Sequence, residues 1–159
     1  MLAGEIDILL VEDDLMDVDL TLYALRQGNL ANRTYVARDG EKALEYLFGR
    51  GASSDRGLEC PVKLVLLDLK LPKVDGLEVL RAIKNDPHTK AIPVVILTSS
   101  REEKDLINSY DLGANSYVQK PVDFDQFREN VKQLCQYWLL VNQSPAVTAF
   151  SAKQLGRAP

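Results

Sequence analysis

Histidine is nearly missing from this chain: its 159 residues include one, His88. That excludes multi-histidine metal sites, and a histidine base would have to be His88 or come from a partner. Cysteine is scarce as well. Cys60 and Cys135 stand 75 positions apart, with no disulfide framework or metal-binding spacing around them. They read as packing residues of a reduced, cytoplasmic chain. Long apolar runs are absent. The longest, Tyr137–Val141, is far too short to span a bilayer. Basic charge is not in excess either: the formal net charge is -4, which argues against direct DNA binding. The opening MLAGEIDILLVEDD lacks a basic start and meets acids early, so it is expected to be no signal peptide.

What is present is an ordinary globular balance, 46% hydrophobic and 26% charged, at a length that suits one domain. Short apolar runs fall at 6–11, 34–37, 62–67, 92–97 and 116–118. The first, third and fourth are nearly continuous in Leu, Ile and Val, as strands buried on both faces of a parallel sheet are.

Amphipathic stretches separate the runs. Asp14 is placed to cap the first helix, with Leu15, Val18, Leu22 and Leu25 inward. Asp39 is placed to cap the second, with Ala43, Leu44 and Leu47 inward. Asp75 with Glu78, Ser100 with Glu103, and Asp123 with Gln126 read as capping boxes of the remaining three. Leu77, Leu80 and Ile83 should face inward on the third. Phe124, Phe127, Val131, Leu134 and Trp138 should do so on the fifth. Pro87 and Gly113 mark helix exits.

Strict alternation predicts an α/β fold: a doubly wound (βα)5 open parallel sheet in the flavodoxin-like order 2-1-3-4-5. Residues 1–141 form the expected domain, and 142–159 an expected flexible or partner-docking tail. The glycine-rich stretch 49–60 reads as a loop.

Ligands of such sheets bind beyond the carboxyl ends of the strands, where strand order reverses. Glu12-Asp13, Asp68, Thr98-Ser99 and Lys120-Pro121 occupy those ends. Taken singly, each is more ordinary: a turn or cap acid, a backbone-bonded hydroxyl, a solvated lysine. Together they place three carboxylates at one rim, which repel unless cations compensate. An all-oxygen set favours a hard cation such as Mg²⁺, with Lys120 as a second compensating charge. That combination suits phosphoryl transfer to an aspartate.

LLVEDD at 9–14, LLDLKLPKVDG at 66–76, PVVILTSS at 93–100 and GANSYVQKP at 113–121 together resemble the response-regulator receiver domains of the CheY type. The resemblance covers roughly 5–141. It implies that Asp68 is the phosphoacceptor and that Glu12 and Asp13 hold Mg²⁺ with Asp68 and the backbone carbonyl of Lys70. It implies that Thr98 is the switch hydroxyl, Tyr117 the rotating aromatic, and Lys120 the phosphate-contacting lysine, with a cis peptide before Pro121. The Lys70 side chain is a departure expected to affect dephosphorylation. LKLPKVDG, the loop at 49–60, HTKAIPVVILTSSREEKD and QYWLLV are similar to the small, mainly cyanobacterial receivers that work with phytochromes.

The implied role is that of a stand-alone receiver, not a conventional enzyme. Its partner would be a histidine kinase of phytochrome type, with His88 a loop residue and output through protein contacts. An apolar surplus on the fifth helix, at Phe127, Tyr137, Trp138 and Leu139, predicts a homodimer using the side built by the last two helices and last strand. Rival readings fare worse. A haloacid-dehalogenase-type phosphatase needs an acid where Lys70 stands, and a flavin binder needs a phosphate loop where VEDDLMD stands. A phosphorylation-independent scaffold has no missing residue in its favour.

Overall fold

The computed structural model describes residues 6–49 and 62–143. Cys60 and the loop and tail expectations, apart from Gly49, Asn142 and Gln143, lie outside the described residues. Five parallel strands, β1 Ile8–Val11, β2 Thr34–Ala37, β3 Leu64–Leu67, β4 Val94–Thr98 and β5 Ser116–Gln119, pair in the order β2-β1-β3-β4-β5. Five helices connect and follow them: α1 Leu15–Gln27, α2 Gly40–Phe48, α3 Gly76–Asn85, α4 Glu103–Asp111 and α5 Phe124–Gln136. A π-helical turn, Tyr137–Val141, extends α5.

Side chains of successive strand residues point to opposite faces, so each strand feeds two cores. Leu9, Val11, Val65, Leu67, Val94 and Ile96 pack with Ala43 and Leu47 of α2 and Val79, Leu80 and Ile83 of α3. Ile8, Leu10, Leu64, Leu66, Val95 and Leu97 pack with Ala24 and Leu25 of α1 and Phe127, Val131 and Cys135 of α5. The β1, β3 and β4 positions are buried throughout, which explains their continuous hydrophobicity.

Asp14, Asp39, Asp75 and Asp123 each accept a backbone N–H of their own helix, as expected of caps. The expected box at Ser100 does not form. The N-cap of α4 is Glu102, without a side-chain cap bond. Ser100 instead donates its hydroxyl to Asp105 at 2.6 Å and accepts from the Glu102 amide, so the chain stays non-helical two residues longer. Leu15 and Phe124 are also not inward: they are 62% and 58% exposed. Both open their helices past the strand ends, where no sheet lies beneath them.

The segment after β3 is held by close backbone approach. A Cβ on Gly76 would lie 2.3 Å from the Asp68 carbonyl oxygen, and one on Gly40 would lie 2.0 Å from that of Val74. The starts of α3 and α2 are thereby pressed against the chain leaving β3. Gly76→Ala is expected to lower unfolding free energy by about 2 kcal/mol or more, the scale of an overpacked core. Urea unfolding measures it, and an unchanged midpoint would refute the close-approach account.

Candidate functional site

Parallel pairing brings the chemistry-bearing residues to one rim. Val11 of β1 pairs with Leu67 of β3, so Glu12 and Asp68 leave the sheet side by side. Leu67 pairs with Ile96, which puts Thr98 at the end of the next strand over. Thr98 pairs with Gln119, and Lys120 follows, its amide bonded to the Thr98 carbonyl at 2.7 Å.

The Lys120 ammonium is the hub. It donates to Glu12 Oε1 at 2.6 Å, to Asp17 Oδ2 at 2.8 Å and to Asp68 Oδ2 at 3.4 Å. An ammonium has three N–H donors, so all are engaged. Glu12 and Asp68 are buried. Glu12 uses its second oxygen to accept the Asp14 amide, and Asp68 uses Oδ1 to accept its neighbour's amide, that of Leu69, at 2.7 Å. Carboxylate oxygens of Glu12, Asp13 and Asp68 all lie within 4.8 Å of one another. That donor set, all oxygen and part open to solvent through Asp13, fits a hard divalent cation.

The charges shift one another. Burial, followed by the charge of Asp68, pushes the Glu12 carboxyl up to about 7 against the opposing pull of Lys120. Burial alone would lower Lys120, but Asp68, Asp17 and Glu12 raise it. The lysine therefore keeps its proton throughout, and Glu12 is the group that titrates near neutrality.

The surroundings hold the remaining expected residues. Thr98 is buried, and its hydroxyl accepts the Ser100 amide at 3.2 Å. Tyr117 packs against the α2–α3 side of the core, and its hydroxyl is buried without a hydrogen bond. Burial raises its phenol, while Ser100 opposes the rise from outside hydrogen-bond geometry. Lys70 is exposed and has no ion pair among the described residues. It lines a cleft of about 490 Å³ with Asp13, Asp75, Glu102, Lys104 and Asp105. The peptide before Pro121 is trans, contrary to expectation. Trans is the isomer an X–Pro bond intrinsically favours, by about 0.5–1 kcal/mol.

Two expectations about other residues need sorting. Phe127, expected at an interface, is 4% exposed and belongs to the core between α5 and the sheet. Trp138 and Leu139 are half-buried against that same core, while Tyr137, Leu140 and Val141 are exposed. His88 is an exposed turn residue beside Asp86, as expected. Burial pushes the Cys135 thiol up to about 12, which fits a packing role. Asp17 is the site residue that sequence reasoning missed. Its position in the first helical turn reads as a favourable helix-dipole acid, which masks its contact with Lys120. Among the described residues, no helix is long and apolar enough to cross a membrane.

The crowding of acids has a pH signature in metal-free protein. Between pH 4.5 and about 7 the folded chain holds a proton on Glu12 that the unfolded chain has released. This group therefore lowers stability as pH rises through that window. Asp68→Asn removes one cause of the shift. Its stability relative to the parent should rise by about 1 kcal/mol between pH 5 and pH 8, one pKa unit being about 1.4 kcal/mol. Urea unfolding in EDTA measures it; a gap independent of pH would contradict the assignment.

The family model of the response regulator receiver domain matches residues 8–132. FilR2 of Methanothrix harundinacea, a probable methanogenesis regulatory protein, is 43% identical over 141 residues, covering 87% of this chain and 86% of its own. The crystal structure of the phosphorylated cyanobacterial phytochrome response regulator RcpA superposes with a TM-score of 0.82 at 39% identity, covering 89% of this chain and 99% of that one. The Mn²⁺-bound form of response regulator Rcp1, a protein of Synechocystis, superposes with a TM-score of 0.79 at 38% identity, covering 87% and 97%. With its matching fold and coverage, the chain belongs to the response regulator receiver domain family, closely related to its phytochrome-associated members.

Proposed function

We propose that this chain accepts a phosphoryl group on Asp68 from a phosphohistidine of a partner kinase, with Mg²⁺ held by Glu12, Asp13, Asp68 and the Lys70 carbonyl. The kinase we favour is of the phytochrome type, on the similarity to RcpA and Rcp1. The observation that carries this reading is the Lys120 ammonium lodged among carboxylates at the rim, within 3.4 Å of Asp68.

The steps follow from the residues. One Asp68 oxygen is held by the Leu69 amide, which orients the carboxylate, and the other faces Lys120 with lone pairs to spare. An Asp68 oxygen attacks phosphorus; the P–N bond breaks, and its electron pair stays on the histidine nitrogen. The product is an acyl phosphate. Lys120 offsets charge on the transferring oxygens. Bound Mg²⁺ would supply the larger share of that charge compensation. The Thr98 hydroxyl, bonded at rest to the Ser100 amide, turns to the phosphoryl group, and Tyr117 repacks in response.

The repacking is read out on α4, β5 and α5. α4 buries only Ser109 of its residues, so little holds it in one place. Leu106, Ile107 and Tyr110 of α4 are exposed, as are Tyr137, Leu140 and Val141 beyond α5. This apolar surface supports a homodimer of a cytoplasmic protein, with Phe127 excluded from it.

Phosphotransfer from an autophosphorylated phytochrome-type kinase tests the acceptor. Label should pass to the parent chain with Mg²⁺, and should be lost in EDTA and in Asp68→Asn. Undiminished labelling of Asp68→Asn would sink the assignment. For the assembly, light scattering at tens of micromolar should give twice the chain mass, and Leu140→Glu the mass of one chain. A parent that weighs as one chain with and without beryllofluoride would remove the dimer.

A further inference from the structure

Lys120 is met by a carboxylate outside the three-acid cluster. Asp17 lies in the first turn of α1, and its Oδ2 is 2.8 Å from Lys120 Nζ, nearer than Asp68 at 3.4 Å. The clustered oxygens come from Glu12, Asp13 and Asp68 alone. An acid at this helix position usually serves the helix, by reaching back to the cap residue's amide. Here that amide, of Asp14, goes to Glu12 instead. The backbone of Asp17 is fixed twice: its N–H donates to Asp14 Oδ1, and its carbonyl accepts the Thr21 hydroxyl. The carboxylate is thus built to face the lysine.

A phosphoryl group on Asp68 requires N–H donors that Lys120 has already committed. Glu12 and Asp68 have a second cation to satisfy them once metal is bound. Asp17 has no other cation within 4 Å among the described residues. We propose that Asp17 is a positioning residue that holds Lys120 toward α1 and competes with the phosphoryl group for its ammonium, so setting how firmly the phosphorylated state is held. The proposal rests on the phosphoacceptor reading above.

Asp17→Asn separates two effects of opposite sign. With Mg²⁺ saturating, Lys120 is freer and one negative charge near the incoming anion is gone, so beryllofluoride should bind tighter. Without the anion, Lys120 falls back on Glu12 and Asp68, the metal's own carboxylates, so Mg²⁺ should bind more weakly. General damage to the fold would weaken both.

The test is calorimetry for Mg²⁺ and fluorine NMR for beryllofluoride, on the parent, Asp17→Asn and Asp17→Glu. Asp17→Asn should bind beryllofluoride roughly threefold tighter and Mg²⁺ roughly twofold more weakly, the scale of one partly exposed charge pair. Asp17→Glu, which keeps the charge, should stay near the parent. In metal-free protein, proton exchange at the Lys120 ammonium should speed up in Asp17→Asn. If Asp17→Asn fails to fold, Asp17→Ser puts the same question. A parent that binds no beryllofluoride with Mg²⁺ would defeat the phosphoacceptor reading. A parent that binds it, beside an Asp17→Asn variant that binds equally or more weakly, would overturn the role of Asp17.

Discussion

Everything at the rim depends on one ammonium. Lys120 arrives from the edge strand β5, crosses the end of β4 and settles between β1 and β3. Without it, Glu12, Asp17 and Asp68 would meet in a part-buried site with no cation within salt-bridge reach among the described residues. Removing the cation from such a buried group leaves its carboxylates uncompensated and costs about 3–5 kcal/mol. On the proposed function the arrangement is a resting state poised to exchange partners, because a divalent cation and a phosphoryl group would compete for the same charges.

The sheet makes that poise possible. Strands β1, β3 and β4 are buried along their whole lengths, so the ends that carry Glu12, Asp68 and Thr98 are rigidly placed. Gly76 and Gly40 press the chain leaving β3 into a single path. Around this fixed centre the cover is uneven. α1 and α5 pack tightly on one face, and α2 and α3 on the other, while α4 contributes a single buried residue. Tyr117 sits beneath that weakly held side with an unpaired buried hydroxyl, a small cost that a rearrangement can relieve.

Much of this was legible in the sequence. Continuous runs of Leu, Ile and Val mark buried parallel strands, and aspartates at four helix starts act as caps. Strand order then follows from connection rules, and with it the meeting of Glu12, Asp68, Thr98 and Lys120. Helical spacing misled at Leu15 and Phe124, because periodicity says nothing about where the sheet beneath a helix ends. Phe127 was assigned both to the core and to an interface, and burial decides for the core. Ser100 looked like a cap because Ser-x-x-Glu is a local pattern; its tertiary partner, Asp105, is visible only in the fold. Asp17 stayed hidden because its contact spans 103 positions of sequence and imitates a local helix preference.

The central claim is that a phosphoryl group lands on Asp68 and nowhere else. Borohydride reduces the acyl phosphate of an aspartate and leaves a mass signature at that residue. The chain would be incubated with Mg²⁺ and a phosphorylated kinase, reduced, digested and sequenced by mass spectrometry. The account predicts one modified peptide, the one carrying residues 64–72, with the change at position 68. Modification at Asp13, Asp14 or Asp17 with Asp68 intact would contradict it.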